Sequence, residues 1–296
     1  MVDSALRTGD NTQIKNCAQS RFEAKSIVSL VSSNDMKSMD PKLVVLHQNI
    51  CSLRKKTTEL EVLLWLELKH VHVICLTEHW QTEQKLNCTN IVDFKLVSAF
   101  CRSSSEHGGS GIYVKDSLVT KEISYFAGIN EEKTFEMSLI ELPEYQLCVV
   151  CIYRSPDGQF DKFLDKLELV VQKLLKDKIL ILCCDWNIDF LHEDSNQKDL
   201  TDLLLWYNLV NTGKSPTRTT KNTNTLIDVI IINKKHYMKP ATVIELGISD
   251  HQAQVLSVLH KTHTSVKKRV LKRNFRVDNI REFQYSLEKE TWQEVF

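Results

Sequence analysis

Apolar positions fall into short runs separated by charged stretches, and their period changes from run to run. LVVLHQN (43–49), VHVICLTE (71–78), QLCVVCIYR (146–154) and KILILCCDWN (178–187) are dense apolar runs with β-branched residues, the pattern of buried strands. FKLVSAF (94–100), SGIYVK (110–115), SLVTKEISYF (117–126) and TFEMSLIEL (134–142) add a meander with little helix, which predicts a mixed or antiparallel sheet. Two segments repeat at helical spacing instead. Residues 56–69 carry Leu60, Leu63, Leu64 and Leu68, and residues 160–176 carry Phe163, Leu164, Leu167, Val170, Val171 and Leu174 on one side. A further helix is expected over 197–207, then strands over 226–232, 241–246 and 253–260. The order gives two similar halves, each mixing helices and strands.

Residues 1–41 are polar around one apolar patch, IVSLV at 27–31, and read as a flexible leader to a domain over 42–260. KTHTSVKKRVLKRNFR (261–276) holds seven lysines and arginines and no acid, and residues 278–296 read as an amphipathic helix. Basic and acidic residues both number 38, so the chain is no general polyelectrolyte binder and contact with nucleic acid must come from local patches. Residues 42–260 hold 24 basic and 28 acidic side chains, so a mildly acidic domain precedes a basic tail. Nine cysteines, an odd count at irregular spacing, sit largely inside apolar runs where a reduced thiol acts as a small hydrophobe. The CxxC of Cys148 and Cys151 has no second pair to complete a zinc site. A reducing nuclear or cytoplasmic location follows, not a secreted one. No run approaches the length of a membrane span, so no membrane partner is expected.

Polar groups gather where strands end. Asn49, Glu78, Tyr153, Arg154, Asp185 and Asn187 close strands, Asp228 opens one, and Asp250 and His251 precede the last. The body of a buried strand is covered, so its terminal residues reach solvent, and so many polar termini imply one shared rim. Phosphodiester hydrolysis needs such an inventory. A hard divalent cation takes one or two carboxylates plus water and phosphate, which Glu78 and Asp250 supply, with Asn49 giving an amide oxygen or orienting a carboxylate. His251 held by Asp228 is the expected pair for deprotonating water. Asn187, Tyr153 and Arg154 are donors for the phosphate oxygens and the leaving 3′ oxygen.

HQNICSL (47–53), LTEHW (76–80), GGSGIYVK (108–115), VCIYRSP (150–156), CDWNID (184–189), SPTRTT (215–220), LIDVIIIN (226–233) and GISDHQAQV (247–255) then occur in one order across residues 43–260. On these segments the chain resembles the endonuclease/exonuclease/phosphatase superfamily, and most closely the endonuclease domain of non-LTR retrotransposons. The resemblance implies an α/β fold, a four-layer α/β sandwich in which two mixed sheets pack face to face with helices outside. It implies Asn49 and Glu78 as the metal-side pair joined by Asp250. Tyr153, Asp185 and Asn187 become the set that binds phosphate and positions leaving group or water, and Asp228 and His251 the orienting acid and base. Arg218, in a PTR-like segment with Thr217, falls on the DNA-facing surface, and Arg154 is expected there too.

The implied activity is a Mg²⁺-dependent endonuclease, with Mn²⁺ as the alternative ion, that nicks one DNA strand. Implied partners are DNA and, separately, a reverse transcriptase and element RNA. In that family a similar linker leads into a reverse transcriptase, so the chain reads as an endonuclease-only fragment or a truncated element copy. The alternatives are a phosphatase of the same superfamily and a noncatalytic relic serving as a binding module. Two departures stand out. Cys184 occupies a position where the family usually has glycine, which would strain a backbone needing positive φ. His79 stands where threonine is common. GGSG (108–111) lacks the Lys-Ser/Thr of a phosphate loop and reads as a tight turn into a strand.

Overall fold

The computed structural model describes residues 42–259, apart from 106, 122, 124, 125, 127, 176, 177, 237 and 238, and residues 277–290. The leader and the basic run at 261–276 lie outside the described residues. In chain order the elements are β1 (Lys42–Asn49), α1 (Thr57–Leu66), β2 (Val73–Thr77), α2 (Glu83–Asn87), β3 (Phe94–Phe100), β4 (Ser110–Lys115), β5 (Glu136–Leu142) and β6 (Leu147–Tyr153). Then follow α3 (Phe160–Leu174), β7 (Ile179–Asp185), α4 (Ser195–Trp206), β8 (Leu209–Asn211), β9 (Arg218–Thr219), β10 (Asn224–Thr225), β11 (Asp228–Asn233), β12 (Thr242–Ile244) and β13 (Ala253–Leu259). A separate unit contributes α5 (Val277–Lys289), whose described side chains are exposed. No helix among the described residues is long and apolar enough to cross a membrane.

Two sheets form, each mixed. One runs β12-β13-β1-β2-β4-β3, the other β5-β6-β7-β11-β8, and β9 and β10 make a small hairpin. β1 pairs in parallel with β2, and β6 in parallel with β7; every other pairing is antiparallel. Alternation along the strands separates three apolar layers. Leu43, Val45, Val73 and Cys75 of the first sheet meet Val149, Cys151, Ile181, Cys183 and Ile230 of the second. The intervening residues Val44, Leu46, Ile74 and Leu76 face Leu60 and Leu64 of α1. On the far side Val150, Ile152 and Leu182 face Phe163 and Leu167 of α3 and Leu200 and Leu204 of α4. Burying each large apolar side chain contributes about 1.5–3 kcal/mol, so three seams of this kind hold helix, sheet, sheet and helix together. The expected four-layer sandwich is what forms.

The described residues of the strand expected over 117–126 form no strand. After β4 the chain turns at Asp116 and drops Leu118 into the seam between the sheets, while Val119 points to solvent. Among the described residues of 117–126, Lys121 makes a reciprocal backbone pair with Glu141, and the Leu118 carbonyl accepts from Lys95 Nζ at 3.1 Å. Two buried side chains, Leu118 between the sheets and Phe126 on the α3 side, anchor the described part of this segment. The strain expected at Cys184 is also absent. Cys184 lies in regular register between Ile152 and Val229, is fully buried, and is not among the residues of positive φ.

Candidate active site

The seam between the sheets ends in a polar layer because alternation carries the inward face to the strand termini. Inward positions run Leu43, Val45, His47, Asn49 on β1 and Ile181, Cys183, Asp185 on β7. They run Val149, Cys151, Tyr153 on β6 and Ile232, Ile230, Asp228 on β11. Register then aligns the termini: Tyr153 and Asp228 both pair with Asp185, and Asn49 pairs with Thr77. Each polar residue thus continues an apolar row.

Asn49 joins the two sheets. Its Nδ2 donates to Asp185 Oδ2 at 2.6 Å and to Glu78 Oε1 at 3.0 Å, while its Oδ1 accepts from the Cys51 amide at 3.1 Å. Glu78 follows β2 with φ of 54°, and its other oxygen accepts from Trp80 Nε1 at 2.9 Å. The loop is clamped by the glycine turn before β4, since the Glu78 and Trp80 amides donate to the Gly109 and Gly108 carbonyls. Gly109 has φ of 91°, and a Cβ there would stand 2.3 Å from His79 Nε2. His79 is a buried strut, with Nε2 on the Phe100 carbonyl at 2.9 Å and Nδ1 accepting from the Gln81 amide.

His251 Nδ1 meets Asp228 Oδ2 at 2.7 Å, and both side chains are buried. Ser249 fixes the preceding loop, donating to the Asn49 carbonyl at 2.7 Å and accepting from the His251 amide at 3.0 Å. Burial alone would lower the His251 pKa, but the Asp228 carboxylate outweighs it and, with Asp185 and Asp250, raises it to about 9. Asp185 is fully buried, and burial together with the neighbouring Asp228 charge pushes its pKa well up. Burial, then the Glu78 and Asp185 charges, pushes the Tyr153 hydroxyl above its ordinary value, so it stays protonated. Asn187, with φ of 51°, donates from Nδ2 to the Arg154 carbonyl at 2.8 Å, leaving its own oxygen for other partners.

Glu78, Tyr153, Asn187, Arg218, Asp250 and His251 line one open cleft. Arg218 grips Asp250 Oδ2 with Nε at 3.0 Å and Nη2 at 2.9 Å, and both remain partly exposed. Glu78 and Asp250 are open carboxylates, the oxygen donors a hard cation prefers, so the donor set fits Mg²⁺ or Mn²⁺. Among the described residues, one ligating atom each from Asp185, Asp228 and His251 lies within 4.8 Å of the others, as in Cys51, Asp250 and His251; Glu78 is in neither trio.

Two expected contacts are corrected. Arg154 is buried with its guanidinium turned inward, Nη1 on the Trp186 carbonyl at 3.0 Å and Nη2 on the Gly158 carbonyl at 2.8 Å. Phe160 and Phe163 lie under it at 5.6 and 5.8 Å. It ties the loop after β6 to the loop after β7 and presents nothing to DNA. Thr217 is fully buried, and its hydroxyl accepts from the Asp228 amide at 3.1 Å. It fixes the start of β11. Conversely, Cys51, Trp80 and Ser249 touch the site although sequence pattern does not mark them; each lies inside a motif segment beside residues that it does mark.

Residues 147–255 match the family described as endonuclease-reverse transcriptase. No curated protein matches the chain. Among solved structures, the endonuclease domain of TRAS1, a telomere-specific non-LTR retrotransposon, is 17% identical with a TM-score of 0.58, over 75% of this chain and 100% of that one. The AP endonuclease LMAP from Leishmania major is 14% identical with a TM-score of 0.59, over 74% and 88%. The 3′ phosphatase NExo from Neisseria, bound to a product DNA hairpin, is 14% identical with a TM-score of 0.58, over 74% and 99%. At these identities the structures speak to the fold. The chain carries the fold of the endonuclease/exonuclease/phosphatase superfamily and, over residues 147–255, is similar to the endonuclease-reverse transcriptase family.

Proposed function

We propose that this chain is a Mg²⁺-dependent endonuclease, able to use Mn²⁺, that hydrolyses one phosphodiester bond in DNA as the nicking half of a retroelement. The observation that carries the reading is the Asn49 amide held between Glu78 and Asp185, beside the buried His251–Asp228 pair. The family description that couples an endonuclease with a reverse transcriptase supports a reverse transcriptase and element RNA as partners. The retrotransposon endonuclease likeness supports DNA as the substrate.

In this reading Glu78, Asn49 and Asp250 would hold the cation, which would supply charge neutralisation at the scissile phosphate. Water attacks phosphorus, a new P–O bond forms, the bond to the 3′ oxygen breaks, and that oxygen takes a proton from solvent in the open cleft to leave as a 3′ hydroxyl. The proton acceptor differs from the one the sequence suggested. The Asp228 carboxylate raises the His251 pKa to about 9, which favours the imidazolium at neutral pH over a free base. Asp185, held by Asn49, is the proposed acceptor in its ionised form, and burial makes that anion the stronger base. His251 then acts as an imidazolium that donates to a phosphate oxygen, held in orientation by Asp228. The protonated Tyr153 hydroxyl donates to the same phosphate, and the Asn187 oxygen orients the attacking water. Arg218, on the exposed rim, contacts the DNA backbone.

Conversion of supercoiled plasmid to nicked circles on adding Mg²⁺ tests the proposal. Phosphate release from inositol phosphates without nicking would point to a phosphatase instead, and inactivity on both substrates to a noncatalytic module.

A further inference from the structure

Cys51 changes what the rim can bind. It follows β1 with φ of 42°, a turn that carries its thiol back over the strand end. Its Sγ lies 3.1 Å from Asn49 Oδ1 and 3.6 Å from Asp250 Oδ1. One ligating atom each from Cys51, Asp250 and His251 falls within 4.8 Å of the others. Sulfur, nitrogen and oxygen donors from two separate loops thus converge, a mixed set that suits a borderline-soft ion better than Mg²⁺.

The spacing agrees. Sulfur and oxygen ligands of a tetrahedral Zn²⁺ stand about 3.5 Å apart, given bonds near 2.3 and 2.0 Å. The Cys51–Asp250 separation of 3.6 Å already matches. His251 is prepared in the same sense. Its Nδ1 is committed to the Asp228 carboxylate at 2.7 Å, so Nε2 is the nitrogen left to bind. A carboxylate behind the imidazole is the usual outer support of a metal-bound histidine. Three protein groups converge among the described residues, so a fourth position stays open to water.

We propose that Cys51, Asp250 and His251 form a site for a thiophilic divalent cation, Zn²⁺ or Cd²⁺, and that its occupation blocks hydrolysis by capturing His251 and Asp250. The binding site stands on the thiol and not on the chain being a nuclease; the block of hydrolysis rests on that reading.

Cd²⁺ titration of the full chain, followed by cadmium–thiolate charge-transfer absorption, reads the site directly. One tight equivalent should appear in wild type, persist in Cys88→Ser, resist excess Mg²⁺ and yield to Zn²⁺. Cys51→Ser should lose it. Asp228→Asn, which leaves all three ligands in place, should weaken it about 10- to 100-fold. A tight equivalent undiminished in Cys51→Ser, or an affinity unchanged in Asp228→Asn, overturns the proposal. Nicking that continues undiminished with the Cd²⁺ equivalent bound would overturn the block, whereas no nicking by the Cd²⁺-free chain in Mg²⁺, with Cd²⁺ binding intact, would count against the nuclease reading alone.

Discussion

Asn49 Nδ2 reaches Asp185 Oδ2 at 2.6 Å across the gap between the two sheets, so one amide hydrogen bond ties β1 to β7 at the polar end of their shared seam. The same amide holds Glu78 at 3.0 Å. Asn49→Ala removes both hydrogen bonds and leaves Oδ2 of the fully buried Asp185 without its Asn49 donor. Urea unfolding of the metal-free variant should show a loss of about 1–3 kcal/mol, the cost of an unsatisfied buried group. An unchanged midpoint and slope would show that the bridge holds nothing.

The two arginines of the rim make opposite predictions. Arg218→Ala should weaken DNA binding and flatten the slope of log affinity against log salt by about 0.9, with little change in stability. Arg154→Ala should leave that slope alone and destabilise the chain by about 2–3 kcal/mol, since two backbone carbonyls lose a charged donor. Deleting residues 261–296 should flatten the slope further, by about 0.7–0.9 for each phosphate the tail neutralises. Salt titrations of the three variants decide each case.

His251 should govern the alkaline side of the pH–rate profile. Its pKa is raised to about 9 by Asp228 despite burial, and the proposed role needs the protonated ring. Nicking should rise as Asp185 loses its proton and fall as pH passes through about 9. In His251→Gln the alkaline fall should vanish and the rate should drop by about 10²–10⁴ at neutral pH. An acidic limb that vanishes instead would restore His251 as the base.

His47 predicts a weakness in acid. Burial lowers its pKa to about 4, and neither ring nitrogen has a hydrogen-bond partner. The folded chain refuses a proton that the unfolded chain accepts near the ordinary value of about 6.5. Stability is therefore full above that value and is lost as pH falls through it toward 4, by on the order of 3 kcal/mol. His47→Leu should flatten unfolding free energy across this window. An equally steep fall in the variant would move the cause elsewhere.

Much of this was legible in the chain because the site continues the strands. Asp185, Asp228, Tyr153 and Asn49 end apolar rows whose period fixes their direction, so pattern alone placed them on one rim. Arg154 and Thr217 misled for the same reason. They stand beside true rim residues, but one residue further along a strand or loop the side chain turns the other way. No local signal separates Arg154, clamped on two carbonyls, from Arg218, open to the cleft. The segment 117–126 has strand composition, yet its described residues are held by Leu118 in the seam and Phe126 in the α3 layer. Proton affinities were not legible at all: they arise from Asp185, Asp228 and His251 meeting across strands far apart in sequence.

Asp185→Asn tests the central claim most directly. The amide keeps the shape and the neighbourhood of Asn49 but cannot accept the proton of the attacking water. Single-turnover nicking of supercoiled plasmid under saturating Mg²⁺ should fall by about 10²–10⁴ with DNA affinity little changed. A rate within a few-fold of wild type across neutral pH would contradict the account.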